Sequence, residues 1–220
     1  MPSQRASRGR PRDLIHTSRH AIRASPPMTI LTTPRLRLEP CAPAHLDGLH
    51  AINADPQVMR YISGQPETRE ETQAMIERVQ ARWARVGYSW FTFIERDGGE
   101  IVGAGCVQNL RREMTPDADP SCPLELGWRL RRDRHGRGYA SEAAFAMGDW
   151  AFDTFAPAEL LAVCDPANTA SSNVMKRLGM HDRGLQRWYG KDMATFGISA
   201  DEWRMQAAAR QAGDARRTGS

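Results

Sequence analysis

The chain has 220 residues, 40% hydrophobic and 25% charged, with a net charge of +4, which is enough apolar material to close one sizeable core in a single domain with frayed ends. Its longest apolar runs, such as Leu160-Leu161-Ala162-Val163-Cys164, fall far short of the ~20 residues that span a bilayer, so no membrane partner is expected. Cysteines at 41, 106, 122 and 164 form no C-x-x-C pair and show no ligand spacing to histidine, which argues against a metal site and suits buried, reduced thiols in a cytoplasmic protein.

The positive charge is not spread evenly. Residues 1–27 carry Arg5, Arg8, Arg10, Arg12, Arg19 and Arg23 against Asp13 alone, a net +5 that leaves the remainder at −1. This Ser-, Arg- and Pro-containing arm has little apolar periodicity and is expected to stay disordered. It could serve as a nucleic-acid or surface tether, as a transit segment, or as an extension without function, and the domain itself gives no reason to expect a nucleic-acid partner. Met28 stands directly before the first strand-like segment and is expected to be an alternative or true start.

From Met28 to 206 the pattern is mixed α/β, followed by a polar tail over 207–220. Arg35 to Glu39 alternates as a half-buried strand. A helix from about Pro43 presents Ala44, Leu46, Leu49 and Ile52 and stops at Asp55-Pro56. A second helix is predicted from Arg69 to Val86, with Thr68 and Glu71 at capping-box spacing and Gly87 as terminator. Tyr88–Arg96 and Ile101–Leu110 read as a hairpin through Asp97-Gly98-Gly99, and Arg111–Pro123 as a loop long enough to reach over a site. Leu124–Leu130 alternates leucines with Glu125, Gly127 and Arg129, giving a strand with one apolar and one chemical face. Ala140, Ala143, Ala144, Met147, Ala151 and Phe155 then repeat at helical spacing. A short strand at Glu159–Cys164, a helix at Asn168–Leu178, and strands near Met180–Tyr189 and Ala194–Met205 complete the pattern.

Between the 124–130 strand and the next helix lies Arg134-His135-Gly136-Arg137-Gly138-Tyr139-Ala140. Closely spaced glycines there let backbone N–H groups approach a phosphate, and the helix dipole adds about half a positive charge at its amino end. A tight turn would need glycine with or without a ligand. A P-loop is excluded because Tyr139 and Ala140, not Lys and Ser/Thr, follow Gly138. A dinucleotide fingerprint fits poorly, since Ser141 holds the third glycine position and a hairpin precedes the loop.

Leu124-Glu125-Leu126-Gly127-Trp128-Arg129-Leu130 before this loop and Asn168-Thr169-Ala170-Ser171-Ser172-Asn173-Val174-Met175-Lys176-Arg177-Leu178-Gly179-Met180 after it carry a resemblance to a known family. With Leu31-Thr32-Thr33-Pro34-Arg35-Leu36-Arg37-Leu38, the chain resembles the GNAT superfamily of N-acetyltransferases, and within it the ribosomal-protein alpha-amino acetyltransferase branch, over residues 30–206. The resemblance implies an α/β fold with a central twisted, mostly antiparallel sheet, flanked by helices and splayed at the cofactor site. It implies acetyl-CoA as acyl donor, with Trp128 and Leu130 pairing the pantetheine arm and the amides of Arg134, His135, Gly136, Arg137, Gly138, Tyr139 and Ala140 holding the pyrophosphate. Asn168 and Ser171 match positions that reach the cofactor or its sulfur, and Arg177 its phosphates; helix capping is the plainer reading of Asn168 and Ser171.

The implied reaction is direct attack of a primary amine on the thioester, the amine belonging to a protein N-terminus or a small molecule. Glu125 is the candidate general base, against a plain salt bridge to an arginine, and a backbone N–H near Trp128 the oxyanion donor. The tyrosine that many relatives use as acid is replaced here by Met175, which leaves Ser171 as the substitute. An acetyl-enzyme on Cys106 or Cys122 lacks an adjacent histidine. Acceptor specificity is expected in 55–68, 111–123 and 187–191, with Tyr61, Trp188 and Tyr189 as pocket aromatics or ordinary packing. The competing class of function is a non-catalytic acyl-CoA sensor or RNA-associated module on the same fold. A homodimer is left open.

Overall fold

The computed structural model describes residues 29–115 and 119–218, so the basic arm 1–27, Met28 and the centre of the 111–123 loop lie outside the described residues. Eight strands form one sheet: β1 (Leu31–Thr32), β2 (Leu36–Pro40), β3 (Trp90–Glu95), β4 (Ile101–Asn109), β5 (Leu124–Leu130), β6 (Glu159–Cys164), β7 (His181–Trp188) and β8 (Lys191–Ser199). Their spatial order is β1-β2-β3-β4-β5-β6-β8-β7. Every neighbouring pair is antiparallel except β5 and β6, which run parallel and share a single registered pair, Glu125 with Leu161.

Six helices cover the sheet: α1 (Leu46–Asn53), α2 (Pro56–Met59), α3 (Arg69–Val86), α4 (Tyr139–Phe155), α5 (Thr169–Arg177) and α6 (Ala200–Thr218). α3 starts where its capping box forms, with Glu71 N–H donating to Thr68 Oγ1 at 3.1 Å and Thr68 N–H to Glu71 Oε2 at 2.7 Å, an arrangement worth about 1 kcal/mol. On one face of the sheet α4 buries Ala143, Ala144, Met147 and Ala151 against Phe91, Phe93, Leu126 and Leu130. Alanines at that seam let the helix lie close to the strands. On the other face α1 and α3 bury Leu49, Ile76 and Val79 against Cys41 and Ala104. The two faces of β5 therefore meet different surroundings: leucines toward α4, and Glu125 and Arg129 toward the side of α1 and α3.

The strand expected over Ala194–Met205 ends at Ser199, and the chain turns into α6. The reason is a second capping box. Glu202 Oε2 accepts Ser199 N–H at 2.9 Å and its hydroxyl at 2.6 Å, while Ser199 Oγ accepts Glu202 N–H at 3.4 Å. Trp203, read from the sequence as the end of a strand, instead lies 2% exposed on α4, where its indole donates to Asp149 Oδ1 at 2.8 Å. The backbone stays helical through Thr218, across the segment whose composition suggests a frayed tail.

Candidate active site

Beyond the pair Glu125–Leu161, β5 and β6 diverge, so the edge of Gly127–Leu130 that faces β6 has no strand to bond. A cleft of about 1030 Å³ opens there. Its wall takes in Trp128 and Leu130 from β5, His135, Gly136, Gly138 and Ala140 from the loop, and Asn168, Ser171 and Arg177 at α5. Arg129 and Arg132 also line it, and among the described residues no carboxylate does. An unpaired strand edge next to arginines suits a ligand with a peptide-like arm and phosphates.

The loop ends in an open helix terminus. Gly138 is the N-cap of α4 at φ +83°, with no side chain capping the first amides. A helix leaves its first N–H groups unpaired, so these point outward as an anion site. Gly136 is also left-handed, at φ +74°, a conformation that costs an L-residue roughly 1–2 kcal/mol. Before the glycines, the amides of Arg134 and His135 donate to Arg131 and Arg132 carbonyls at 2.9 and 3.2 Å. Those two positions, expected to offer amides to a pyrophosphate, thus spend them on a short 3₁₀ turn. The Arg134 guanidinium turns to Glu95 at 3.3 Å and to Glu100, and the Tyr139 hydroxyl donates to Glu95. The His135 ring donates Nε2–H to the Leu130 carbonyl at 3.1 Å.

Arg35 holds this loop from the opposite end of the sequence. It donates to the Arg137 carbonyl at 2.8 Å, pairs with Glu142 at 2.6 Å and lies 4.4 Å over the Tyr139 ring. Glu142 also accepts the Thr33 hydroxyl and the Arg35 amide, at 2.6 and 2.9 Å. The Thr33-Pro34-Arg35 segment is therefore a brace for the loop, a role its sequence alone does not disclose.

At α5, Asn168 is the N-cap, its side chain accepting Ser171 N–H at 3.1 Å. Capping and a place on the cleft wall coincide at this residue. Ser171 is half-buried on the same wall, and Arg177 donates to Ser141 Oγ at 3.3 Å, tying α5 to α4. Met175 is buried in the core and offers no hydroxyl to the cleft.

Glu125 lies at the apex of the splay, 5% exposed and behind the cleft wall. Its salt-bridge reading does not hold: its partners are Tyr189, whose hydroxyl donates to Oε1, and Gln108, whose Nε2 donates to the same oxygen at 2.7 Å. Both of these bonds converge on Oε1. Gln108 is fixed in turn by Arg82 Nη1 at 2.8 Å and the Trp90 indole at 3.2 Å. Burial pushes the Glu125 carboxyl above the ordinary range, against the opposite pull of its two donors and of Arg111 and Arg82 nearby. Burial and the Glu125 charge drive the Tyr189 phenol upward, so it stays a proton donor to the carboxylate. Tyr189 reaches Glu125 from a strained position: it has φ +54°, followed by Gly190 at +73°, in the two-residue turn joining β7 to β8. Amides of that turn donate to Arg111 and Arg112 carbonyls at 2.8 Å each. Cys106, in the same layer, is fully buried and its thiol is pushed well up, which makes it a poor nucleophile.

The profile of the acetyltransferase (GNAT) domain matches residues 35–181. This chain belongs to the GNAT acetyltransferase family. It is similar to YkkB, an uncharacterized protein of Bacillus subtilis (strain 168), at 32% identity over 76% of this chain and 94% of that one. It is similar as well to the FsC-acetyl coenzyme A-N(2)-transacetylase of Aspergillus fumigatus, at 30% identity over 72% of this chain and 66% of that protein. In fold it matches RimL, a ribosomal L7/L12 alpha-N-protein acetyltransferase in complex with coenzyme A, with a TM-score of 0.62 at 16% identity over 79% of this chain and 99% of that one. The GNAT protein described here is thus an acetyl-CoA-dependent N-acetyltransferase. Among the described residues, no helix is long and apolar enough to cross a membrane.

Proposed function

We propose that the acetyl group passes to a primary amine by direct attack within this cleft, catalysed by residues 28–206, with the arm 1–27 dispensable. Amides from Gly136 to Ala140 hold the pyrophosphate of acetyl-CoA and Arg177 meets its phosphates, while main-chain groups of Trp128 and Leu130 pair with the pantetheine arm. A backbone N–H at Trp128 stabilises the developing oxyanion. Asn168 and Ser171 stand by the thioester sulfur, where the Ser171 hydroxyl donates to the leaving thiolate. Supporting this reading above all is the meeting, in one cleft, of an uncapped helix terminus and a strand edge without a partner among the described residues.

The amine must lose a proton before or during attack, and an α-amine, with a pKa near 8, demands less of a base than a lysine-like amine near 10.4. Glu125 supplies that base through water. Its two donors converge on Oε1, and a carboxyl held above its ordinary range is a stronger base than an exposed one. Tyr189 and Gln108 position it by fixing Oε1. Calorimetry with CoA, joined to a thiol-release assay over a panel of amines, tests the reading. CoA binding with acetyl transfer to a panel amine is expected; binding with no amine ever acetylated would overturn it.

A further inference from the structure

Arg129 is the feature that the donor site leaves unexplained. It is 7% exposed, yet its Nε and Nη2 atoms are buried with no hydrogen-bond partner, and it forms no ion pair among the described residues. Leaving charged N–H groups dry and unpaired is strongly unfavourable, so a buried guanidinium with unbonded N–H groups marks a place where an anion is received. Its guanidinium carbon lies 4.7 Å from the centre of the Trp90 ring. Glu67 is the carboxylate whose charge it feels most, but Glu67 Oε2 already accepts Asn53 Nδ2 at 2.8 Å and Thr72 Oγ1 at 3.3 Å. Burial lowers the Arg129 pKa, as expected for a cation lacking a counter-charge.

The position of Arg129 separates it from the phosphate end. Leu126 and Leu130 face α4, whose amino terminus is the anion cradle; Arg129 projects from the opposite face of β5 and shares the cleft wall with Gln57, Val58, Tyr61 and Ile62. It follows Trp128, the residue proposed to meet the oxyanion, directly in sequence. We propose that Arg129 binds a carboxylate carried by the acceptor, and that the acceptor is a small α-amino acid-like molecule whose amine and carboxylate are separated by one carbon. The inference rests on the N-acetylation reading above. A polycationic acceptor such as a polyamine fits poorly, because the cleft wall has arginines and, among the described residues, no acid to receive it. A protein N-terminus has an amide where this acceptor has its carboxylate and would leave Arg129 unpaired.

The test is a thiol-release assay on the full chain with saturating acetyl-CoA and matched acceptors: L-amino acids, their carboxamides, amide-capped peptides and spermidine. The carboxylate member of each pair is expected to have a kcat/KM higher by about tenfold or more. Arg129→Met is expected to lower that value about 100-fold through KM, while leaving the carboxamide rate and the KM for acetyl-CoA within about twofold. Equal rates for carboxylate and carboxamide on the parent enzyme overturn the inference whether or not the variant folds. So does a variant whose loss appears in the KM for acetyl-CoA, which would assign Arg129 to a phosphate of the donor. Absence of turnover with every amine would instead remove the underlying N-acetylation reading.

Discussion

The two halves of the cleft are built from different material. The donor half consists of backbone: left-handed glycines, an uncapped helix end and an unpaired strand edge, braced from outside by the partly exposed Arg35–Glu142 pair. The half proposed to serve the acceptor consists of side chains, Arg129 on the wall and, behind it, Glu125, Gln108 and the half-buried Tyr189, drawn from β5, β4 and the turn between β7 and β8. Main-chain recognition tolerates side-chain change, so the donor half can serve one cofactor throughout a family. Buried polar side chains are sensitive to each neighbour, which suits the proposed seat of chemistry and acceptor choice.

The sharpest way to separate the halves is Glu125→Gln. Loss of a general base is expected to lower kcat by about 10²-fold or more, with CoA affinity by calorimetry unchanged. Stability should move the other way. A carboxyl raised by burial contributes stability below the unfolded carboxylate range and loses it as pH rises through its folded pKa, so at pH 7 the charged group is a net cost. The glutamine variant should melt at or above the parent temperature; a marked drop would recast Glu125 as structural.

Gly138→Val strikes the donor half. Strain at φ +83° and a Cβ 3.4 Å from Arg35 Nη2 are expected to weaken CoA binding about tenfold or more, without shifting the pH profile of kcat. Unchanged affinity in a folded variant would remove the loop from the cofactor site. Tyr189→Phe should act only on the acceptor half. Removing a donor to Oε1 raises the Glu125 pKa further, so the acid limb of the kcat profile should move to higher pH. A limb that stays in place would detach the tyrosine from the base. Arg35→Met should raise the KM for acetyl-CoA several-fold with a stability loss of about 1 kcal/mol or less, since the pair is partly solvated. Deletion of residues 1–27 should leave kcat/KM unchanged within about twofold; a larger fall would make the arm part of the enzyme.

The same division explains what could be read in advance. The glycine turn into α4, the alternating β5 and the α3 cap are local patterns, set by neighbours a few residues apart, and they emerge as expected. The α6 start was also written locally, in Ser199 and Glu202, but was hidden by the apolar run of β8 before it. Tyr189 was visible as a pocket aromatic, whereas its bond to Glu125 spans 64 positions. No periodicity carries such a contact.

The sequence by itself determined the α/β order, the glycine loop between β5 and α4, and through its three separated motifs the GNAT family and its acetyl donor. Only the tertiary structure decided that Arg134 turns away to acids, that Arg35 braces the loop, that Gln108 and Tyr189 both donate to Glu125 Oε1, and that Arg129 is buried with Nε and Nη2 unbonded. The reason is physical. Backbone conformation follows from residues adjacent in the chain, but desolvation and the partnering of a charge depend on which distant segments close over it.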